Sequence, residues 1–116
     1  MIGLELSMSS DETHRAELLQ TLQNLRDEAV SQGSSHECRV FEDLSGPNHF
    51  LWLQWWQSQR DLQDYLTSIG FRTLLGAIKV LGNLESARTV ELQDSTSVLG
   101  AFLADRGEVV DRSVEK

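Results

Sequence analysis

The side chains best suited to chemistry in this chain are aromatic. Trp52 and Trp56 stand four apart in an apolar run that begins at Phe50 and contains one polar residue, Gln54. Alternate residues of a strand point to opposite faces, so positions four apart share a face. Tyr65 follows on the next segment. Together the three can wall a pocket whose flat apolar surfaces suit a small phenolic or quinone-like ring. A buried tyrosine hydroxyl needs a partner and can hand over a proton, so Tyr65 and Trp56 are the candidate catalytic pair. Trp52, Phe71, His36 and Arg72 are the candidate substrate contacts, with Arg72 placed to meet an anionic group. The competing reading of the same aromatics is an ordinary hydrophobic core.

Other chemistries are harder to build from these residues. His14, His36 and His49 come from a helix start and two strands, and no pair has metal-ligand spacing. In the triplet His36, Glu37 and Cys38 only the outer two share a strand face, which is too few for a zinc site. A nucleophilic Cys38 needs a basic neighbour, and Arg39 faces the other way. There is no glycine-rich phosphate loop and no paired-carboxylate pattern. The expectation is a site with neither metal nor cofactor.

Composition narrows the partners. The chain has 116 residues and a formal net charge of −8, with 10 basic residues scattered along it. That length makes one domain. An acidic chain without a basic stripe excludes a nucleic-acid surface or an anionic membrane surface. No apolar run reaches the ~20 residues that span a bilayer. A single cysteine allows no internal disulfide, and the first residues lack the pattern of a secretory signal, so the expected location is the cytoplasm.

The elements that must position these side chains follow from periodicity. Ile2, Leu4, Leu6 and Met8 alternate with polar residues, as in a strand with one apolar face. Ser10 is the expected cap of a helix running to about Val30, whose stripe is Leu18, Leu22, Leu25 and Ala29. Gly33 ends it. A weaker strand from His36 to Leu44 and a strong one from His49 to Trp56 flank the turn chemistry of residues 45–48, forming a hairpin. Ser58 caps a second helix, with Asp61 three residues on. Gly70 is expected to interrupt it, and a further helix carries Phe71, Leu74, Leu75 and Ile78 toward Gly82. Leu84, Val90 and Leu92 are in phase on a last strand. The order is βαββαβ, an α+β, ferredoxin-like arrangement with an antiparallel sheet and a second helical region split in two. Residues 1–93 form the domain. Residues 94–116 form a tail, in which Val98, Leu99, Phe102 and Leu103 can line a short helix before a polar, flexible end.

The strand from His49 to Trp56 poses a burial problem. Phe50, Trp52 and Trp56 occupy one face; Leu51, Leu53 and Trp55 occupy the other. A strand with one wet face alternates apolar with polar residues, and this one does not. One layer of helices covers only one side.

The run from Phe50 through Trp56 to Leu66 resembles the antibiotic biosynthesis monooxygenase (ABM) family. The matching features are Trp56 at the end of the third strand, Leu62 in the helix after it, the segment Phe71, Leu74 and Leu75, Gly33 after the first helix, and the turn from Asp43 to Pro47 and Asn48. The resemblance covers residues 2–93. It implies a dimeric α/β barrel, in which the sheets of two copies pack face to face with the helices outside, and so supplies the missing cover as a homodimer. Some relatives oxidise phenols or quinols with molecular oxygen and neither metal nor flavin; others degrade haem. Family members often carry histidines where this chain has Tyr65 and Gly70. The iron-ligating histidine of the haem-degrading branch aligns with Leu75, which disfavours haem chemistry. Two readings follow: a cofactor-independent monooxygenase acting on a small aromatic or quinone-like substrate, or a non-catalytic homodimeric ligand-binding or regulatory module.

Overall fold

The run from His49 to Trp56 becomes an inner strand because almost all its side chains are large and apolar. The computed structural model describes residues 1–32, 35, 37–91, 93, 100, 101 and 103. The elements are β1 (Ile2–Ser9), α1 (Arg15–Gln32), β2 (Glu37–Asp43), β3 (His49–Trp56), α2 (Gln59–Leu66), α3 (Ile69–Leu81) and β4 (Asn83–Glu91). The strands form one antiparallel sheet in the order β2-β3-β1-β4, so β1 and β3 are central. This is the expected α+β, ferredoxin-like arrangement with its second helical region split in two.

The core lies on one face of that sheet. Leu4, Leu6 and Met8 from β1 and Phe50, Trp52 and Trp56 from β3 are buried against Leu18 and Leu22 of α1, Leu62 of α2, and Leu74 and Ile78 of α3. The sequence leaves open which face of β3 the helices cover. They cover the Trp52 and Trp56 side. On the other side Leu51, Leu53 and Trp55 are only half-buried, and Phe41, paired with Leu51, is exposed. Removing a fully buried tryptophan such as Trp52 by mutation to alanine costs about 3–5 kcal/mol.

Several boundaries differ from the sequence expectation. Ser10 does not cap α1: the helix begins at Arg15, and the Asp11 carboxylate closes the turn ahead of it by accepting from the His14 N–H at 2.8 Å. Ser58 caps α2 as expected, accepting from the Asp61 N–H at 3.2 Å. The break between α2 and α3 falls at Thr67 and Ser68 rather than at Gly70. Ser68 decides it, because its hydroxyl donates to the Tyr65 carbonyl at 2.6 Å and accepts from the Phe71 N–H at 3.2 Å. One short side chain thus closes α2 and caps α3, and Gly70 lies in the first turn of α3. In β4, Leu84 pairs with Met8 and Ser86 with Ser7, so Glu85 is an extra residue in the ladder. Such a bulge reverses the phase of the strand. Leu84 therefore lies on the helix side with Met8, and Val90 on the open side with Gly3. Gly33, His36, Leu92 and most of the tail expected at 94–116, including Val98, Leu99 and Phe102, lie outside the described residues.

The β2–β3 turn is tied to the start of α1. Asn48 takes the left-handed backbone conformation (φ 57°), which asparagine tolerates better than most residues. Its side-chain amide donates to Glu12 at 3.1 Å and its carbonyl oxygen accepts from Arg15 at 3.2 Å. Arg15 also pairs with Glu42 at 2.9 Å and lies 5.2 Å over the Phe50 ring. These contacts set the tilt of α1 across the sheet.

Two glycines separate packing from backbone freedom. A Cβ on Gly82 would sit 2.2 Å from the Ser9 carbonyl oxygen, a backbone atom that cannot move aside, whereas one on Gly76 would meet nothing within 4 Å. Gly82→Ala is expected to destabilise the fold by about 3 kcal/mol through overpacking. Gly76→Ala, in an exposed helix interior, is expected to stabilise it by about 0.5–1 kcal/mol. Urea unfolding of the two variants measures both, and their opposite signs are the check.

Candidate functional site

The helices close over the sheet, and the space they leave lies among the helices themselves. A cavity of about 620 Å³ lies between the C-terminal half of α1, α2 and the start of α3. Its apolar wall is Leu25, Ala29 and Ile69; its polar wall includes Tyr65, Ser68 and three carboxylates, Glu28, Asp61 and Asp64. The α1 stripe places Leu25 and Ala29 there, further along the helix face that buries Leu18 and Leu22. The early break at Ser68 turns α3 away from α2 and leaves the space between them.

Tyr65 is the aromatic wall of this cavity. Its ring centroid lies 5.0 Å from that of Trp56 and 5.4 Å from that of Phe71, both tilted. The structure thus brings three candidate residues, Trp56, Tyr65 and Phe71, into one cluster. Trp56 is 1% exposed and lies behind Tyr65 as seen from the cavity. Trp52 is fully buried, does not line the cavity, and donates its ring N–H to the Gln54 side-chain oxygen at 3.1 Å. Arg72 is exposed and does not line it either. His36 lies outside the described residues.

Burial shapes the two titratable groups of this region. Desolvation pushes the Cys38 thiol up to about 12, opposed only in part by the nearby Arg26. Desolvation raises the Tyr65 hydroxyl as well, and the neighbouring Cys38 adds to the effect. Tyr65 therefore stays protonated and can donate a hydrogen bond, and Cys38 is a poor nucleophile. Among the described residues no group of three or more His, Cys, Asp or Glu is placed to hold a metal ion. Among them, too, no helix is long and apolar enough to cross a membrane.

Sequence reasoning passed over one residue of note. Gln54 is fully buried on the helix-covered face, the only buried polar side chain of the core among the described residues. Its oxygen is held by Trp52, while its amide nitrogen has no acceptor; the same is true of the Trp56 ring N–H. Leaving such a donor unpaired in a core costs about 1–3 kcal/mol. The signal was present in the sequence as the one polar residue in an apolar strand face. The carboxylates Glu28, Asp61 and Asp64 gave no such signal, because on a helix they read as a solvated side.

No protein-family model and no curated protein sequence matches this chain. Solved structures do. A protein from Deinococcus radiodurans assigned as an antibiotic biosynthesis monooxygenase superposes with a TM-score of 0.70 at 25% identity, over 81% of this chain and 94% of the other. This is the antibiotic biosynthesis monooxygenase fold. The resemblance drawn from Trp56, the Pro47–Asn48 turn and the Phe71 segment is therefore borne out. SnoaB from Streptomyces nogalater, a cofactor-independent oxygenase, shares the ABM fold at 12% identity, with a TM-score of 0.69 over 82% of this chain and 95% of that one. A further antibiotic biosynthesis monooxygenase matches at 15% identity, with a TM-score of 0.66 over 81% and 98% of the two chains.

The raised values give a pH dependence. The unfolded thiol titrates near 9.0 and the unfolded phenol near 10.0, whereas in the folded protein both hold their protons to higher pH. The unfolded chain then binds fewer protons than the folded one, so stability falls as pH rises. The contribution of Cys38 is complete below pH 9.0 and lost progressively up to about 12. Denaturant midpoints measured from pH 8 upward are expected to decline past pH 9, and Tyr65→Phe is expected to flatten the part of that decline above pH 10.

Proposed function

We propose that this protein is an ABM-type oxygenase that oxidises a small aromatic or quinone-like substrate with molecular oxygen and no metal or organic cofactor. The observation that carries this reading is the 620 Å³ cavity walled by Tyr65, with Trp56 and Phe71 stacked behind it, on an ABM fold. The volume admits a two- or three-ring molecule. Leu25, Ala29 and Ile69 offer it an apolar bed, and the Tyr65 ring offers a stacking face.

The roles follow from the groups at hand. Oxidising an electron-rich phenol or a doubly activated CH₂ with dioxygen begins with loss of a substrate proton. Among the described lining residues only Glu28, Asp61 and Asp64 are suited to take it. Tyr65, held protonated by its surroundings, donates a hydrogen bond to the oxygen on which negative charge develops. For a CH₂ group the balance is one dioxygen consumed, one oxygen atom placed on carbon as a ketone, and the other released as water. The absence of histidine from the described lining residues favours a second reading, a binding module of the same fold that holds such a molecule without turning it over.

Oxygen uptake with anthrones and quinols decides between them. The oxygenase reading expects consumption of one dioxygen per substrate and a loss of at least tenfold in kcat/KM for Tyr65→Phe and Trp56→Phe. Tight binding without uptake favours the binding module.

The open face of the sheet bears on assembly. Leu51, Leu53 and Trp55 are half-buried and Phe41 is 41% exposed, which leaves a large apolar surface on one side of the domain. Ion pairs flank Leu53 on both sides of β3, Glu5 with Arg88 and Glu37 with Arg39, and His49 lies 3.5 Å from Glu85. A second copy laid sheet to sheet covers this surface, as in a dimeric barrel. Light scattering is expected to give twice the 13.1 kDa chain mass at micromolar concentration, and Leu53→Arg to halve it. A wild-type monomer at that concentration overturns the dimer.

A further inference from the structure

Gln54 and Trp56 stand two apart on β3 and face the helices together, so their Cα atoms are roughly 7 Å apart. Both present an N–H group that is sealed from solvent and has no acceptor among the described residues. The Gln54 side chain is not free to turn, because the Trp52 ring N–H holds its oxygen at 3.1 Å and so directs its NH₂ away from Trp52. Tyr65 stands between the cavity and Trp56: it lines the cavity, and its ring packs tilted against the Trp56 ring at 5.0 Å. The Trp56 donor therefore lies behind the Tyr65 side chain, with Gln54 two residues along the same strand face.

We infer that the Gln54 carboxamide and the Trp56 indole N–H form an oxygen subsite at the floor of the cavity, reached when the Tyr65 side chain swings aside. Donors without an acceptor select a ligand atom that only accepts. A ketone, quinone or phenolate oxygen fits; an ammonium or a bare hydrocarbon edge does not. Gln54 is then a positioning residue and the determinant of specificity: it fixes which edge of the ring system turns inward, and hence which carbon faces the carboxylates of α1 and α2. Trp52 acts through it, as the clamp that keeps the amide nitrogen pointed at the ligand. This rests on the cavity being the binding site, and it adds the chemical class of the ligand and the residue that reads it.

The test compares anthrone with 9,10-dihydroanthracene, a molecule of nearly the same shape without the carbonyl oxygen. Binding is followed by tryptophan fluorescence without oxygen, so that no turnover intervenes. Wild type is expected to bind anthrone at least tenfold more tightly. Gln54→Glu keeps the acceptor that Trp52 needs and replaces the NH₂ donor by an oxygen. It is expected to lose that preference while binding dihydroanthracene within twofold of wild type. Trp56→Phe, which removes the other donor, gives an independent reading if the glutamate variant does not fold. Infrared difference spectra add a signature that a purely structural role would not move: the carbonyl stretch of bound anthrone shifts to lower frequency in wild type and returns toward its free value in Gln54→Glu. Equal affinity for the two molecules in wild type, or a preference that survives in both variants, overturns the subsite and leaves the donors to a buried water. Failure of both molecules to bind overturns the cavity reading as well.

Discussion

A central strand with large apolar side chains on both faces has to be covered on both faces. That constraint, set by β3, organises the rest of the molecule. One side of the strand draws α1, α2 and α3 over Phe50, Trp52 and Trp56. The other presents Leu51, Leu53 and Trp55, half-buried, with no element of the described residues above them. Removing apolar area from water is the dominant favourable contribution to both folding and association. The same strand therefore specifies a core within the domain and an apolar surface outside it.

The cavity lies among the helices, outside the cover they give the sheet. Three short-range interactions set its edges. Ser68 ends α2 and begins α3 with one hydroxyl, so the two helices diverge there. Asn48 and Arg15 fix the hairpin against the start of α1 and so set the direction of that helix. The missing side chain of Gly82 lets the end of α3 press on the end of β1. None of these residues touches the cavity chemistry except Ser68, yet each determines where the walls stand. Tyr65 sits at the junction, stacked between Trp56 and Phe71 and exposed on its cavity side. Burial keeps its hydroxyl protonated, which suits a donor.

Much of the architecture was legible before any coordinates. β3 was read to the residue, because eight positions of dense hydrophobicity bounded by a proline turn and a serine cap admit little else. The Ser58 cap, the α1 stripe and the order of elements along the chain followed from local chemistry. The misplacements were local competitions. The first helix starts later than Ser10 suggests, because the Asp11 carboxylate holds the His14 N–H in a turn ahead of it. Gly70 looked like a break, but glycine in a first helical turn costs little once Ser68 has already capped the helix. The phase of β4 was misread because a bulge at Glu85 leaves no mark in the pattern of hydrophobic residues.

Sequence by itself determined the α+β class and the overloaded central strand, and that the candidate chemistry is aromatic. Periodicity carries that information, since it depends only on which residues are apolar and how they are spaced. It could not tell which face of β3 the helices take, because both are apolar enough to be covered. Only the tertiary structure decided that Trp52 is sealed in the core while Tyr65 walls a cavity, and that Gln54 is buried with an amide donor unmet. Those distinctions depend on how three helices cross a sheet. The crossing is set by contacts between residues far apart in the chain, and no local pattern encodes it.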